Sequence, residues 1–252
     1  MMPPAFITYG WCRSSYAAVR SLARRGVRVH VGDASRLAMG RFSRHARSFS
    51  LLPDFFVSPD DYVAAVVEAM ERTGARVLLP CHEDVGVFCR RMDRLPGWVR
   101  AALPGPDAYD LVNDKRRVVE HAGRLGLRVP RSRPVGSEDD LEAIAGEWGW
   151  PVVVKTHVGN SAKGVRIARD AAGLRTAFRE LVRDFGLPPE RWPFVEEYLP
   201  GRACGACLLL DHGRVVAGFA EEYLRCQGGE IGRASCRERV ESSVVAGLIK
   251  TK

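Results

Sequence analysis

Three lysines carry the strongest chemical signal in this sequence of 252 residues. Of its 38 basic residues 33 are arginine, and the five lysines are Lys115, Lys155, Lys163, Lys250 and Lys252. An arginine and alanine bias of this kind is what a GC-rich genome gives. A lysine kept at 115, 155 or 163 therefore marks a place where a guanidinium cannot stand in for a compact ammonium. Lys155 ends the apolar run Pro151-Val152-Val153-Val154. After it come the small-residue loop Thr156-His157-Val158-Gly159-Asn160-Ser161-Ala162-Lys163-Gly164 and the strand Val165-Arg166-Ile167. A lysine fixed at a strand end, beside a loop whose backbone N–H groups can be approached without side-chain clash, is a phosphate-binding arrangement. It is not the P-loop of nucleoside triphosphatases: GxxxxGK[ST] is absent, and a strand rather than a helix follows. Gly159 and Gly164, bracketing a loop between antiparallel strands, let it fold down as a lid.

Two other clusters invite chemistry. Cys81-His82-Glu83-Asp84 lies just past the strand Arg76-Val77-Leu78-Leu79-Pro80, at the strand end where open α/β sheets place ligands. No second ligand pair stands at useful spacing, so a polar helix entry is the better reading than a metal site, with Cys89 buried in the helix that follows. Cys204 and Cys207 form a single CxxC in a strand, read as two small core residues rather than a zinc or redox pair.

The elements that position these residues follow from the pattern of apolar residues. Phe6-Ile7-Thr8 is a strand, Ser15 to Arg25 a helix, and Val27 to Val31 a second strand ending at Gly32-Asp33. This βαβ unit implies a parallel sheet covered by helices. Its first turn, Gly10-Trp11-Cys12-Arg13-Ser14-Ser15, lacks the dinucleotide fingerprint, which argues against a hydride-transfer enzyme. Pro59 to Arg72 is an amphipathic helix with Ser58 as cap, Pro59 in its first position, and Asp60 and Asp61 complementing its N-terminal dipole. Gly74 ends it. Pro104-Gly105-Pro106 is a hinge, and a new unit starts there. Its predicted elements are helices over 107–123, a strand over 127–130, a capped helix from Ser137 to near Gly149, and a buried strand over 151–155. A strand over 165–167, a helix from Asp170 to Phe185 and a strand over 194–199 follow. Asp211-His212-Gly213 then turns a hairpin between Leu208-Leu209-Leu210 and the apolar run from Val215 to Ala220.

Composition bounds the class. With 46% hydrophobic and 27% charged residues the chain is globular, with room for one large or two small domains. No run approaches the roughly 20 apolar residues needed to span a bilayer. The start lacks a basic n-region and a long apolar core, and seven scattered cysteines suit a reducing compartment, so a cytoplasmic location is expected. The net charge of +8 reads as a solvated arginine-rich surface, because the basic residues do not cluster with aromatics in a recognition module; no nucleic-acid partner is expected.

Four segments in order resemble the ATP-grasp superfamily: Asn113-Asp114-Lys115, Pro151 to Lys155, the loop Gly159 to Gly164, and Phe194-Val195-Glu196-Glu197-Tyr198-Leu199-Pro200-Gly201. The nearest likeness is to predicted ATP-dependent carboligases, relatives of carbamoyl-phosphate synthase and biotin carboxylase, and it covers about residues 5 to 229. The resemblance implies an α/β chain: a βαβ pre-ATP-grasp domain with a parallel sheet over 1–105, then the N-terminal part of an α+β ATP-grasp domain over 106–229. It implies that Lys115 and Lys155 contact ATP phosphates, Lys155 also lying beside the adenine. Gly159, Asn160, Ser161, Lys163 and Gly164 would form the lid over the triphosphate. Glu196 would accept from the adenine amino group, and Glu197 and Leu199 would offer backbone hydrogen bonds to the purine. The implied cofactors are ATP and Mg2+, and the implied substrates are a small carboxylate and an amine. The implied reaction activates the carboxylate as an acyl phosphate for attack by an amine or other nucleophile.

The chain departs from the family in two places. Arg202-Ala203-Cys204-Gly205-Ala206-Cys207 offers no acid for the ribose hydroxyls, which favours the alternative of a non-catalytic nucleotide-binding module. The family's metal-binding acids and Asn lie further on than this chain reaches, so no metal ligand is expected in it and the 252-residue chain is expected to be inactive. From Glu230 the texture changes. Glu230-Ile231-Gly232-Arg233-Ala234-Ser235-Cys236-Arg237-Glu238-Arg239-Val240 has no apolar periodicity and resembles a translated sequencing adapter, so 230–252 reads as a non-native tail on a truncated protein.

Overall fold

The computed structural model describes residues 2–160, 162–201, 204–226 and 234–239. It is a mixed α/β structure that divides into two compact units, Met1–Leu111 and Val112–Lys252, where the hinge in the sequence suggests a division at 105/106.

In the first unit the alternation of apolar residues builds a covered parallel sheet. Its strands are β1 (Ala5–Ile7), β2 (Val29–Asp33), β3 (Ser48–Leu51), β4 (Val77–Leu79) and β5 (Arg100–Ala101), in the order β3-β2-β1-β4-β5 and all parallel. Successive side chains point to opposite faces. Phe6 and Leu78 therefore join one core with Val63, Val66 and Met70 of α2 (Pro59–Thr73). Ile7, Val29 and Val31 join a second core with Val19 of α1 (Arg13–Arg24). Ser58 stands at the N-cap of α2 but its hydroxyl makes no cap bond, a correction to the sequence reading; Asp60 instead pairs with Arg91 and Arg94. The short strands β3 and β5 carry too few apolar residues to be read from sequence.

The unit continues with α3 (Asp84–Cys89), and α4 (Pro106–Asn113) carries the chain across the division. The second unit holds a four-stranded antiparallel sheet in the order β6-β9-β7-β8, from β6 (Ser132–Pro134), β7 (Val152–Lys155), β8 (Val165–Ala168) and β9 (Phe194–Glu197). Three helices accompany it: α5 (Lys115–Arg124), α6 (Asp139–Trp148) and α7 (Ala171–Phe185). The strand predicted over 127–130 is irregular backbone. Leu127 and Val129 are solvent-facing, and the true edge strand starts at Ser132, where arginines rather than aliphatics flank it. Strand β9 ends at Glu197, so Tyr198 and Leu199 lie beyond it.

A second antiparallel sheet contains β10 (Cys204–Asp211), β11 (Arg214–Cys226) and β12 (Ala234–Arg239). His212 and Gly213, both at positive φ, turn the β10–β11 hairpin as expected. Strand β12 pairs with β11 where the sequence offers no strand pattern. Cys204 and Cys207 are exposed thiols rather than core residues, which corrects their reading from sequence.

Helix α7 and the sheet form the main core of this unit, with Phe178 and Leu181 packed on Val152, Val154 and Val195. Truncating a large buried ring leaves a cavity as well as losing its transfer energy. Phe178→Ala is expected to destabilise the unit by about 3–5 kcal/mol, whereas Phe185→Ala at the half-exposed end of α7 shifts it by roughly 0.5 kcal/mol or less. Urea titration followed by circular dichroism checks the difference; equal effects would overturn this packing.

Candidate functional site

The antiparallel pairing sorts the residues of the second sheet onto two faces. Val153 pairs with Glu196 and Lys155 with Phe194, while Val152 pairs with Glu197 and Val154 with Val195. With a side-chain period of two, Val152, Val154 and Val195 face the helices and enter the core. Val153, Lys155, Phe194 and Glu196 share the opposite face. There Lys155 and Glu196 stand diagonally across neighbouring strands and form an ion pair, Lys155 Nζ to Glu196 Oε1. The Glu196 side chain is only 6% exposed and that of Lys155 25%.

Ser132 of β6 pairs with Glu196 from the other side, which puts its side chain on the same face. Its hydroxyl is buried without a hydrogen-bond partner. Buried hydroxyls in folded proteins almost always have one. An orphan beside the Lys155–Glu196 pair marks the face where a ligand group would complete the bonding. Sequence reasoning missed Ser132, because an isolated serine in an arginine-flanked edge strand carries no signal of its own.

The lysine at 115 is positioned from a different direction. Asp114 is buried and caps α5, accepting from the amides of Arg116 and Arg117 at 3.0 and 3.1 Å. Its carboxylate also bonds His157 Nδ1 at 3.0 Å, and Arg191 Nη1 lies 3.7 Å away. His157 in turn meets the Phe194 ring edge-on and accepts the Lys115 amide at its carbonyl, 2.8 Å. This ties the start of α5 to the residue two beyond Lys155. Burial alone would push the Asp114 carboxyl up, but the Arg117 amide, the His157 ring and the Arg116 amide outweigh it and hold it below the usual carboxylate range. His157 and Arg191 also escaped the sequence reading, since only folding brings them to Asp114.

The loop between β7 and β8 is ordered by backbone contacts. Lys115 Nζ donates to Gly159 O at 2.7 Å, Thr156 Oγ1 to Val158 O at 2.8 Å, and the Thr156 amide to Gly164 O at 2.9 Å. Gly159 has φ 132°, a conformation L side chains rarely adopt. A Cβ on Gly164 would sit 2.0 Å from Thr156 Oγ1, so this position admits no side chain. The Lys163 amide donates to Asn160 O at 3.3 Å, and the Lys163 side chain projects into solvent. Ser161 lies outside the described residues.

The structure thus joins Lys155 to Glu196, and Lys115 to Gly159. Glu197 is committed elsewhere. Its carboxylate takes both Arg131 Nε and Nη2, at 3.2 and 3.3 Å, and its amide donates to Arg131 O at 2.9 Å. The Arg131 guanidinium beside it holds the Glu197 carboxyl below the usual range. Leu199 is exposed past the end of β9.

The Cys81-His82-Glu83-Asp84 cluster is a polar helix entry. Asp84 is buried and accepts from Thr8 Oγ1, from Tyr62 OH at 2.9 Å and from the His82 amide at 3.0 Å. Burial pushes the Asp84 carboxyl up and the Cys81 thiol up to about 11, so Cys81 is not a ready thiolate. Among the described residues no group of three His, Cys, Asp or Glu side chains could hold a metal ion, and no helix is long and apolar enough to cross a membrane.

Residues 114–199 match the family model described as carbamoyl-phosphate synthase L chain, ATP binding domain, a stretch that runs from the Asp114 cap to Leu199. The chain is 27% identical over 143 residues to a pyruvate carboxylase of Schizosaccharomyces pombe, covering 53% of this chain and 12% of that protein. It superposes on the biotin carboxylase domain of the Hydrogenobacter thermophilus 2-oxoglutarate carboxylase, in complex with MgADP, ADP and bicarbonate, with a TM-score of 0.67 at 19% identity. That match covers 88% of this chain and 50% of the other. The N5-carboxyaminoimidazole synthetase of Staphylococcus aureus, complexed with ADP, gives a TM-score of 0.68 at 18% identity, over 90% of this chain and 56% of that one. Residues 114–199 are thus similar to the ATP-binding domain of carbamoyl-phosphate synthase, and the chain has the fold of these ATP-grasp structures. It spans about half the length of these solved structures and much less of the carboxylase.

A group whose carboxyl is held low in the folded state contributes stability above its unfolded pKa and loses it as pH falls through the folded one. Asp114→Ala is therefore expected to cost about 0.5–2 kcal/mol near neutrality and to remove part of the stability lost below the usual carboxylate range. Asp114→Asn keeps the cap and removes only the charge. Urea midpoints from pH 7 down to pH 3 check this, and an Asp114→Ala protein with an unchanged midpoint at pH 7 would sink it.

Proposed function

We propose that this chain is the nucleotide-binding part of an ATP-grasp ligase that activates a substrate carboxylate and transfers the acyl group to an amine or other nucleophile. The observation that carries this reading is the Lys155–Glu196 pair on the sheet face opposite the helix-packed core, next to the orphaned Ser132 hydroxyl. A largely buried ion pair is a poor source of stability, because desolvating both charges offsets their attraction. It is a good ligand site. On nucleotide binding Glu196 accepts from an exocyclic adenine amino group, and the Lys155 ammonium turns to phosphate oxygen. Lys115 neutralises further phosphate charge from the start of α5. The loop from Gly159 to Gly164, with Asn160, Ser161 and Lys163, offers backbone N–H groups and closes over the triphosphate. Glu197 uses its amide within the sheet, so its purine contact falls to its carbonyl oxygen, and Leu199 contributes its amide.

In the reaction, a carboxylate oxygen attacks the γ-phosphorus and the bond to the β-phosphate oxygen breaks, giving an acyl phosphate and ADP. The nucleophile then adds to the acyl carbon, phosphate leaves, and the amine proton passes to solvent or base. This chain's residues contribute by positioning and by neutralising charge. The magnesium that the family uses finds no ligand set among the described residues, and no step is assigned to it here. A second reading, a nucleotide-binding module without turnover, is favoured by the lack of an acid between Arg202 and Cys207. ADP formation by the full-length protein across pools of carboxylates and amines separates the two readings.

Lys155→Ala and Glu196→Gln are each expected to weaken ATP binding at least about tenfold, a loss near 1.4 kcal/mol, in titration calorimetry. Ser132→Ala is the sharper test. Its hydroxyl has no partner to lose, so stability is expected to stay within roughly 0.5 kcal/mol while nucleotide affinity falls. Wild-type affinity in all three variants would overturn this site.

A further inference from the structure

The first unit contains a cavity of about 370 Å³ that nothing above uses. This is within the range of small-molecule sites. It opens at the carboxyl ends of β1, β2 and β3, where parallel sheets bind ligands. Its walls are aromatic: Tyr9 and Trp11 follow β1, and Phe55 and Phe56 follow β3. Two carboxylates complete the lining, Asp33 at the end of β2 and Asp54.

Both carboxylates are held in place by backbone amides. Asp33 Oδ2 accepts from Trp11 N at 2.9 Å and Oδ1 from Ser35 N at 2.7 Å, and Asp54 Oδ1 accepts from Phe56 N at 2.8 Å. Neither has an ion-pair partner among the described residues, and no lysine, arginine or histidine lines the cavity. In a chain with 38 basic residues this is a marked exclusion, and Asp33 is 95% buried without a counter-charge. Tyr9 has φ 52°, an uncommon conformation for a bulky residue, and its ring is stacked on His82 at 4.1 Å and edge-on to Phe55 at 5.9 Å. Such strain persists where the surroundings fix a side chain for use. Trp11 and Phe56 stand exposed at the rim, which lets a ligand reach them.

We infer that this cavity binds a small organic ammonium ion with an aromatic body, the cation held by Asp33 and Asp54 and the ring packed among the aromatic side chains. Carboxylates supply the charge, and the faces of Trp and Tyr rings attract a cation further. Its use as the amine nucleophile rests on the ligase reading above. The binding itself rests only on the first unit.

The experiment is titration calorimetry of the full chain at pH 7 with 2-phenylethylamine. The comparison ligands are 2-phenylethanol (neutral), 3-phenylpropionate (anionic) and butylamine (a cation without a ring). Saturable binding of phenylethylamine is expected, with each comparison ligand at least about tenfold weaker. Asp54→Asn and Asp33→Asn are expected to weaken the amine about tenfold and Phe56→Ala several-fold. Asp33 organises two backbone amides, so its variant is checked by near-ultraviolet circular dichroism; Asp54 and Phe56 are exposed and their variants carry the test if it misfolds. Tighter binding of the carboxylate, unchanged amine affinity in Asp54→Asn, or no amine binding at millimolar concentration would overturn the inference. ADP is titrated into the same samples. ADP binding without amine binding removes this inference alone, and amine binding without ADP binding removes the nucleotide reading alone.

Discussion

The site depends on one interaction across the antiparallel sheet, the ion pair between Lys155 and Glu196. Its existence is a consequence of register. A shift of β9 by a single residue would turn Glu196 toward Phe178 and Leu181 and move Val195 to the opposite face, beside Lys155. Burying an unpaired carboxylate among those side chains would cost several kcal/mol, so the packing that seals the core also places the pair. Replacing both charges with aliphatic side chains of similar volume is often neutral or favourable in other proteins. The pair is therefore better explained by what it does for a ligand than by what it does for the fold. Each group has its partner in the free protein, one that the proposed nucleotide would replace.

Around this pair the structure places a second anchor. Asp114 is the N-cap of α5 and the partner of His157, and His157 lies two residues beyond Lys155 on the same backbone. The start of α5 and the chain just beyond β7 are thereby held by a single carboxylate. The loop gains its shape from Thr156, whose hydroxyl occupies the space that a side chain at position 164 would need. A small residue there is a requirement of close packing, whereas Gly159 is required by its φ of 132°, a conformation L side chains rarely adopt.

Much of this was legible in the residues themselves. Strands β7 and β8 and helix α7 have uninterrupted apolar patterns, and the Asp170 cap and the Asp211-His212-Gly213 turn follow ordinary local chemistry. Edge strand β6 was not legible, since its arginines are held by Glu197, Glu147 and the face of Trp148 rather than by burial of aliphatic side chains. The apolar alternation of Leu127 and Val129 drew the strand reading five residues too early. Ser132, His157 and Arg191 acquire meaning only through partners distant in sequence. The same is true of the first unit, where Asp33 reads as the end of a strand and Asp54 as a loop residue until the fold sets them in one cavity wall.

The two kinds of basic residue divide the work. Arg131 grips Glu197 through two guanidinium nitrogens, Arg133 takes Glu147, and Arg175 and Arg179 fasten α7 to Glu142 and Glu138 of the preceding segment. The Arg131 and Arg179 contacts are planar and forked, a geometry that suits a guanidinium. Lys155 instead meets a carboxylate oxygen and Lys115 donates to the Gly159 carbonyl, contacts that a compact ammonium can leave without dismantling a bidentate pair. An arginine at 155 would bring a wider, more rigid group against Glu196 and, under the proposed reading, lock the arrangement that a phosphate would open. Under the proposed nucleotide reading, this arginine-rich chain has lysine at 155 because the cation there exchanges one anionic partner for another.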